Sequence, residues 1–283
     1  MPGWAIILIL TLGLAWSDVV GDAGQLAMAQ DHQELGVRVE QLEQQAVRER
    51  GERLYRQACA PCHGMSGDGQ GPAAPGLHPK PHDFTTGLYK FRTTPLSAMP
   101  TDADLVRTIR EGIPGTAMPA WKHLLSASQQ MALAQYLKTF AADAFNQKAS
   151  PADALPLQLP PEPAATPEHV QRGRSIYERL QCGQCHGLEG RGDGPLASRL
   201  RDAWNRPIRP ANFTRGIYKS GTMPEDLLRT IRTGLAGTPM PAWSGAISIE
   251  EGWDLVHYIR SLSKAKSFWQ RVFVDTGEAD PGR

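Results

Sequence analysis

Apolar residues at Leu133, Tyr136, Leu137 and Phe140 recur three and four positions apart, and Leu255, Tyr258, Ile259 and Leu262 do the same. That spacing lines one face of an α-helix. Each run starts behind a capping-box pattern, Ser126-x-x-Gln129 in the first and Ser248-x-x-Glu251 in the second. Helices are also predicted over Arg48 to Ala58 and Glu168 to Leu180. Another is predicted over Asp102–Glu111, which follows Thr101 and stops at Gly112; its counterpart stops at Gly234. Strand-like alternation is absent. The predicted fold class is all-α.

The elements come in pairs because the sequence repeats. Gly51-x-x-x-Tyr55 returns as Gly173-x-x-x-Tyr177, and Leu105-Val106-Arg107-Thr108-Ile109-Arg110 returns as Leu227-Leu228-Arg229-Thr230-Ile231-Arg232. Gly115-Thr116-Ala117-Met118-Pro119-Ala120-Trp121 returns as Gly237-Thr238-Pro239-Met240-Pro241-Ala242-Trp243. Phe84, Tyr89 and Met99-Pro100 match Phe213, Tyr218 and Met223-Pro224 through insertions that largely cancel, as loops vary around a fixed scaffold. The connection from about Ala141 to Pro167 is rich in Ala and Pro and reads as a semi-extended spacer. The expected division is a domain at 36–141, a linker at 142–166, a domain at 167–264 and a tail at 265–283.

At the N-terminus, Trp4 to Trp16 is an apolar run, shorter than the roughly 20 residues a membrane span needs. With small-x-small sites at Ala15-Trp16-Ser17 and Ala27-Met28-Ala29, residues 1–29 read as a secretory signal peptide or an N-terminal anchor. The n-region, Met1-Pro2-Gly3, lacks the usual Lys or Arg. Either form puts the body of the protein outside the cytosol, periplasmic or on the outer face of the cytoplasmic membrane.

Composition narrows the function. Lys and Arg number 30 against 29 Asp and Glu, which excludes a nucleic-acid binder held by a general basic field. Charge is uneven: residues 31–140 carry 12 basic and 11 acidic side chains, residues 168–283 carry 17 and 13. Arg191, Arg199, Arg201, Arg206, Arg209, Arg215 and Lys219 fall in one loop region of the second repeat. They read as solvated charge with pairing to the propionates of a bound group, or as a docking face for an acidic protein partner. Aromatics make up only 7%, thin for two cores unless another group fills them.

The four cysteines make that group concrete. Cys59, Cys62, Cys182 and Cys185 form two C-x-x-C pairs, each followed at once by histidine, His63 and His186. Two cysteines three apart on a turn entering a helix can each bond one vinyl group of haem, and the next His then faces the iron. Three other readings compete. A redox dithiol needs a βαβ context that is missing. A zinc site would have to join the two repeats and would leave both histidines unexplained. A chance pairing does not account for duplication with flanks.

With Cys59-Ala60-Pro61-Cys62-His63-Gly64 and Met118, and Cys182-Gly183-Gln184-Cys185-His186-Gly187 and Met240, the chain resembles the two-domain, dihaem members of the class I c-type cytochromes. The resemblance covers nearly everything after residue 45 except the linker. It implies two covalently bound haem c groups, one on Cys59 and Cys62 and one on Cys182 and Cys185. It further implies His63 and His186 as proximal iron ligands and Met118 and Met240 as distal ones. Met99 and Met223 also recur past the histidines and are the rival ligands; His78 and His82 are the bis-histidine rivals in the first repeat. The Gly-rich loops Gly64–Gly69 and Gly187–Gly194 read as haem-edge linings rather than phosphate cradles. Gly51 and Gly173 read as the places where first and last helices cross, with Tyr55 and Tyr177 packed at the crossings.

Two protein ligands per iron leave no position for substrate, so the expected function is transfer of single electrons between redox partners outside the cytosol. The chain would act as a carrier or as an electron-transfer subunit of a respiratory complex, beside an oxidase or oxidoreductase. The alternative is a dihaem enzyme, peroxidase-like or thiosulfate-oxidising. A peroxidase needs a displaceable ligand, and some sulfur-oxidising relatives use a further cysteine, whereas every Cys here is already used. A haem-based sensor would need an output domain that the sequence does not display.

Overall fold

The computed structural model describes residues 22–147 and 155–263. The expected leader lies outside these up to residue 21, as do residues 148–154 of the linker and the tail at 265–283. Among the described residues no helix is long and apolar enough to cross a membrane, and no strand forms; one isolated bridge pairs Arg201 with Pro207.

The chain divides into two compact units between Arg50 and Gly51. The first holds most of helix α1 (Asp22–Ala58), whose residues from 30 to 50 are all exposed. The helix was expected from Arg48 and begins a full 26 residues earlier, at Asp22. No proline interrupts Asp22–Ala58, and Gln, Glu, Arg and Ala dominate it, all strong helix formers that outweigh the cost of its three glycines. In the second repeat the equivalent helix cannot extend upstream, because prolines crowd the approach and Pro167 itself opens the first turn.

The second unit contains both repeats. Repeat one continues with α2 (Ala60–His63), α3 (Asp102–Glu111), α4 (Ala127–Thr139) and α5 (Ala142–Asn146). Repeat two has α6 (Pro167–Arg179), α7 (Gly183–His186), α8 (Pro224–Thr233) and α9 (Ile249–Ser261). Both predicted capping boxes form: Gln129 N–H donates to the Ser126 hydroxyl and Glu251 N–H to that of Ser248. Helices α3 and α8 end at Gly112 and Gly234, each at φ 66°, in the left-handed region only glycine enters freely.

The connection departs from expectation at its start. Ala142 to Asn146 is helical, not semi-extended, and Phe145 sets its ring edge-on to Tyr89 at 5.5 Å. Prolines begin only at 151, so nothing in the backbone prevents a turn of helix before them. Further on, Leu157 N–H donates to the Thr93 carbonyl at 2.7 Å. Leu159 packs on the repeat-two core, and Glu162 pairs with Arg260 at 2.7 Å. The spacer is therefore strapped to both repeats.

Each repeat is organised by one helix crossing. A Cβ on Gly51 would collide with the Ala132 carbonyl, and one on Gly173 with the Asp254 carbonyl; glycine allows α1 to pass α4, and α6 to pass α9, backbone against backbone. Tyr55 and Tyr177 fill these crossings, fully buried, with ring centroids 5.4 and 5.3 Å from Tyr136 and Tyr258. Their hydroxyls donate to the Gly64 and Gly187 carbonyls, both at 2.7 Å. The crossing is thereby tied to the turn that carries the cysteines.

Candidate functional site

The C-x-x-C-H turns are short helices braced from behind. Gly69 N–H donates to the His63 carbonyl and Gly71 N–H to that of Cys62; Gly192 and Gly194 repeat the pattern on His186 and Cys185. The Gly-rich loops do not line the cavity described below, contrary to expectation. A Cβ on Gly71, just beyond the first loop, would meet the Pro61 carbonyl and one on Gly194 the Gln184 carbonyl, so these glycines serve close packing against the back of the motif.

His63 Nδ1 lies 3.0 Å from the His82 carbonyl oxygen, and His186 Nδ1 lies 3.1 Å from that of Ala211. A carbonyl only accepts, so Nδ1 carries the proton and Nε2 keeps its lone pair for a metal. Phe84 stacks on the His63 ring at 4.7 Å and Phe213 on His186 at 4.5 Å, which fixes both ring planes. Burial lowers both imidazole pKa values, against the smaller opposite effect of the carbonyl, so the neutral ligand form is favoured. The acceptors are backbone atoms of dissimilar residues, and no side-chain pattern announced them. Phe84 and Phe213 recur in the sequence and were legible as anchors, though not as ring supports.

The four thiols are unpaired. Burial pushes Cys59 and Cys182 up to about 11, opposite to the acidic thiol of a redox dithiol. Among the described residues no three His, Cys, Asp or Glu side chains gather in a metal-binding group.

All eight predicted site residues line one continuous, largely apolar cavity of about 580 Å³: Cys59, Cys62, His63 and Met118 from repeat one, Cys182, Cys185, His186 and Met240 from repeat two. Met118 and Met240 sit on matching loops, where Met118 N–H donates to Thr116 Oγ1 and Met240 N–H to Thr238 Oγ1. Among the rivals, Met99 packs against the repeat-one core and Met223 is 59% exposed. His78 and His82 line the cavity, but the His82 ring packs against Phe84, Tyr89 and Trp204. Trp121 Nε1, Tyr218 Oη and His82 Nε2 are buried at the lining without a hydrogen-bond partner. A macrocycle with polar edges, bonded to thiols and ligated by imidazole and thioether, fits this donor set and its orphaned polar atoms.

The repeats meet at this cavity through a residue without sequence warning. The stretch from Leu200 to Phe213 is longer than its counterpart from Leu77 to Phe84, and the extra residues carry Trp204. Its Nε1–H donates to Asp83 Oδ2 at 3.1 Å, while its ring stands edge-on to His82 at 6.2 Å. Lys90 and Arg206 lie over the ring at 6.0 and 5.8 Å. Burial lowers the Lys90 pKa and Asp202 opposes this, while Lys219 and Arg206 lower it further. The basic cluster of repeat two thus splits: Arg206, Arg209 and Lys219 line the cavity, and Arg191 pairs with Glu189 at 2.6 Å. A second inter-repeat tie joins Arg107 to Asp226 at 2.6 Å, and Asp226 also holds Arg229.

Comparison with known proteins gives a consistent picture. The family described as "Cytochrome C oxidase, cbb3-type, subunit III" matches residues 46–137 and again 168–259. The cbb3-type cytochrome c oxidase subunit FixP of Azorhizobium caulinodans is 25% identical over 273 residues, covering 92% of this chain and 79% of that protein. The subunit CcoP of an Azospirillum species is 26% identical over 228 residues, 76% of this chain and 62% of its own length. Among solved structures, a chain of the Kuenenia stuttgartiensis reducing HAO-like protein complex superposes with a TM-score of 0.73 at 41% identity. That match covers 76% of this chain and 96% of the other.

Proposed function

Since the chain belongs to the cbb3-type cytochrome c oxidase subunit III family, we propose that it is an exported electron-transfer subunit of a respiratory complex, moving single electrons between redox proteins. Its fold is two tandem cytochrome c domains and its cofactors are two covalently bound haem c groups. In this reading Cys59 and Cys62 hold one haem between His63 and Met118, and Cys182 and Cys185 hold the other between His186 and Met240. The observation that carries it is the single cavity lined by both cysteine pairs, both Nδ1-anchored histidines and both loop methionines.

When bound, each haem supplies a one-electron iron couple. The protein's part is to hold that couple still and dry. The Nδ1–H bonds to His82 and Ala211 and the rings of Phe84 and Phe213 fix the imidazoles. Leu105, Ile109, Leu133 and Leu137 in repeat one, with Leu227, Ile231, Leu255 and Ile259 in repeat two, give the cavity an apolar lining that disfavours water. A thioether opposite imidazole favours the reduced metal. Were His63 with Met118, and His186 with Met240, to ligate the irons, the protein's own side chains would take the positions that peroxide or another substrate needs, which supports transfer rather than catalysis.

The test is Met118→Ala and Met240→Ala in the haem-loaded protein. Each variant is expected to lose half of the methionine-dependent charge-transfer absorption of the ferric protein, to lower one midpoint potential and to bind cyanide rapidly at one haem. Unchanged spectra and potentials would overturn the ligand assignment. Rapid cyanide binding by the unmodified protein would overturn the transfer role.

A further inference from the structure

Among the described residues, α1 is exposed along its length from residue 30 to residue 50. Between His32 and Arg50 every residue is exposed, including Leu35 at 60%, Val39 at 46% and Leu42 at 59%. These are costly positions for large apolar side chains on an isolated helix, where propensity alone gives marginal stability.

Their spacing is that of a coiled coil. Leu35, Val39, Leu42 and Ala46 alternate four and three residues apart, a 3.5-residue period that keeps one seam in line along two supercoiled helices. His32 extends the same register upstream, giving two heptads between His32 and Ala46. Leu35 and Leu42 take the d positions and Val39 an a position. Leucine at d with a β-branched residue at a favours two parallel strands. Val37 and Val47 lie off the seam.

The flanking charges complement themselves. Arg38 takes a g position and Glu43 the following e position, the pair that meets across a parallel two-stranded seam. Two copies in register set Arg38 of each beside Glu43 of the other, twice by symmetry. Among the described residues no ion pair joins Arg38 or Glu43, whereas neighbouring side chains are held by hydrogen bonds: Gln44 donates to Glu40 at 3.1 Å and Gln45 to Glu49 at 2.9 Å. His32, at an a position, is the kind of polar seam residue that selects one register at some cost in stability.

We propose that the stretch of α1 from His32 to Ala46 pairs in parallel with the same stretch of a second copy of the chain, forming a short two-stranded coiled coil. The pairing covers the apolar seam and satisfies Arg38 and Glu43 without a different partner. It is independent of the haem ligands, so its failure leaves the proposed function untouched.

Sedimentation equilibrium of the full, haem-loaded chain across a range of concentrations tests it. A concentration-dependent monomer–dimer equilibrium is expected. Leu35→Gln combined with Leu42→Gln, which keeps helix propensity, is expected to leave monomer with an unaltered haem spectrum. Arg38→Glu puts like charges together at both symmetric contacts and is expected to weaken the dimer about tenfold. Adding Glu43→Arg is expected to restore it, as only a parallel register allows. A chain that stays monomeric throughout, a dimer that survives the leucine substitutions, or a charge swap that fails to rescue each overturns the proposal. The haem spectrum and helical circular dichroism of every variant separate lost pairing from lost folding.

Discussion

Tyr55 and Tyr177 do at the level of single atoms what the repeat does at the level of the chain: each phenol ties a helix crossing to a cysteine turn. Burial raises both phenol pKa values well above the ordinary range, so folding favours the neutral hydroxyl. The stability they provide is complete below the unfolded-state pKa of about 10 and is lost as pH rises beyond it. Melting curves from neutral to strongly alkaline pH should show this loss. Tyr55→Phe with Tyr177→Phe should cost about 1 kcal/mol per hydrogen bond at neutral pH and flatten the alkaline decline. An equally steep decline in the double variant would show that other groups govern it. The histidine supports lie at the same scale and were not legible, because their acceptors are main-chain carbonyls of His82 and Ala211, and main-chain atoms carry no residue identity.

Among elements, the helix crossings were readable from Gly51 and Gly173, since a glycine inside a helix costs about 1 kcal/mol and persists where a backbone passes close. Gly173→Ala drives a methyl group into the Asp254 carbonyl and should destabilise repeat two by about 1–3 kcal/mol, measured by urea denaturation. Ser248→Ala, which removes a capping acceptor from α9, should cost about 1 kcal/mol. If the glycine substitution proved the milder of the two, the crossing would be looser than the contact implies. Helix α5 and the upstream reach of α1 were not legible for a shared reason: neither segment has a counterpart in the other repeat, so the duplication gives no second copy of its pattern.

For the whole molecule, the decisive feature is that two sequence-equivalent halves share one cavity through non-equivalent residues. Trp204→Phe keeps a ring beside His82 but removes the hydrogen bond to Asp83. A double-mutant cycle of Trp204→Phe and Asp83→Ala should return a coupling of about 0.5–1.5 kcal/mol. Trp204→Ala should in addition slow electron equilibration between the two haems after rapid partial reduction, with each haem's own spectrum retained. A zero coupling energy together with an unaltered rate would remove Trp204 from any part in joining the repeats.

Local sequence was enough to establish the all-α class, the duplication, the capped helices and the two cysteine–histidine motifs, because each depends on residues a few positions apart whose chemistry is independent of context. Only the tertiary structure brought Met118 and Met240 to the cavity while seating Met99 in the core and leaving Met223 exposed. The same holds for Trp204 against Asp83. Which of several similar side chains reaches a shared cavity depends on how loops of unequal length close over it, and spacing along the chain does not encode that closure.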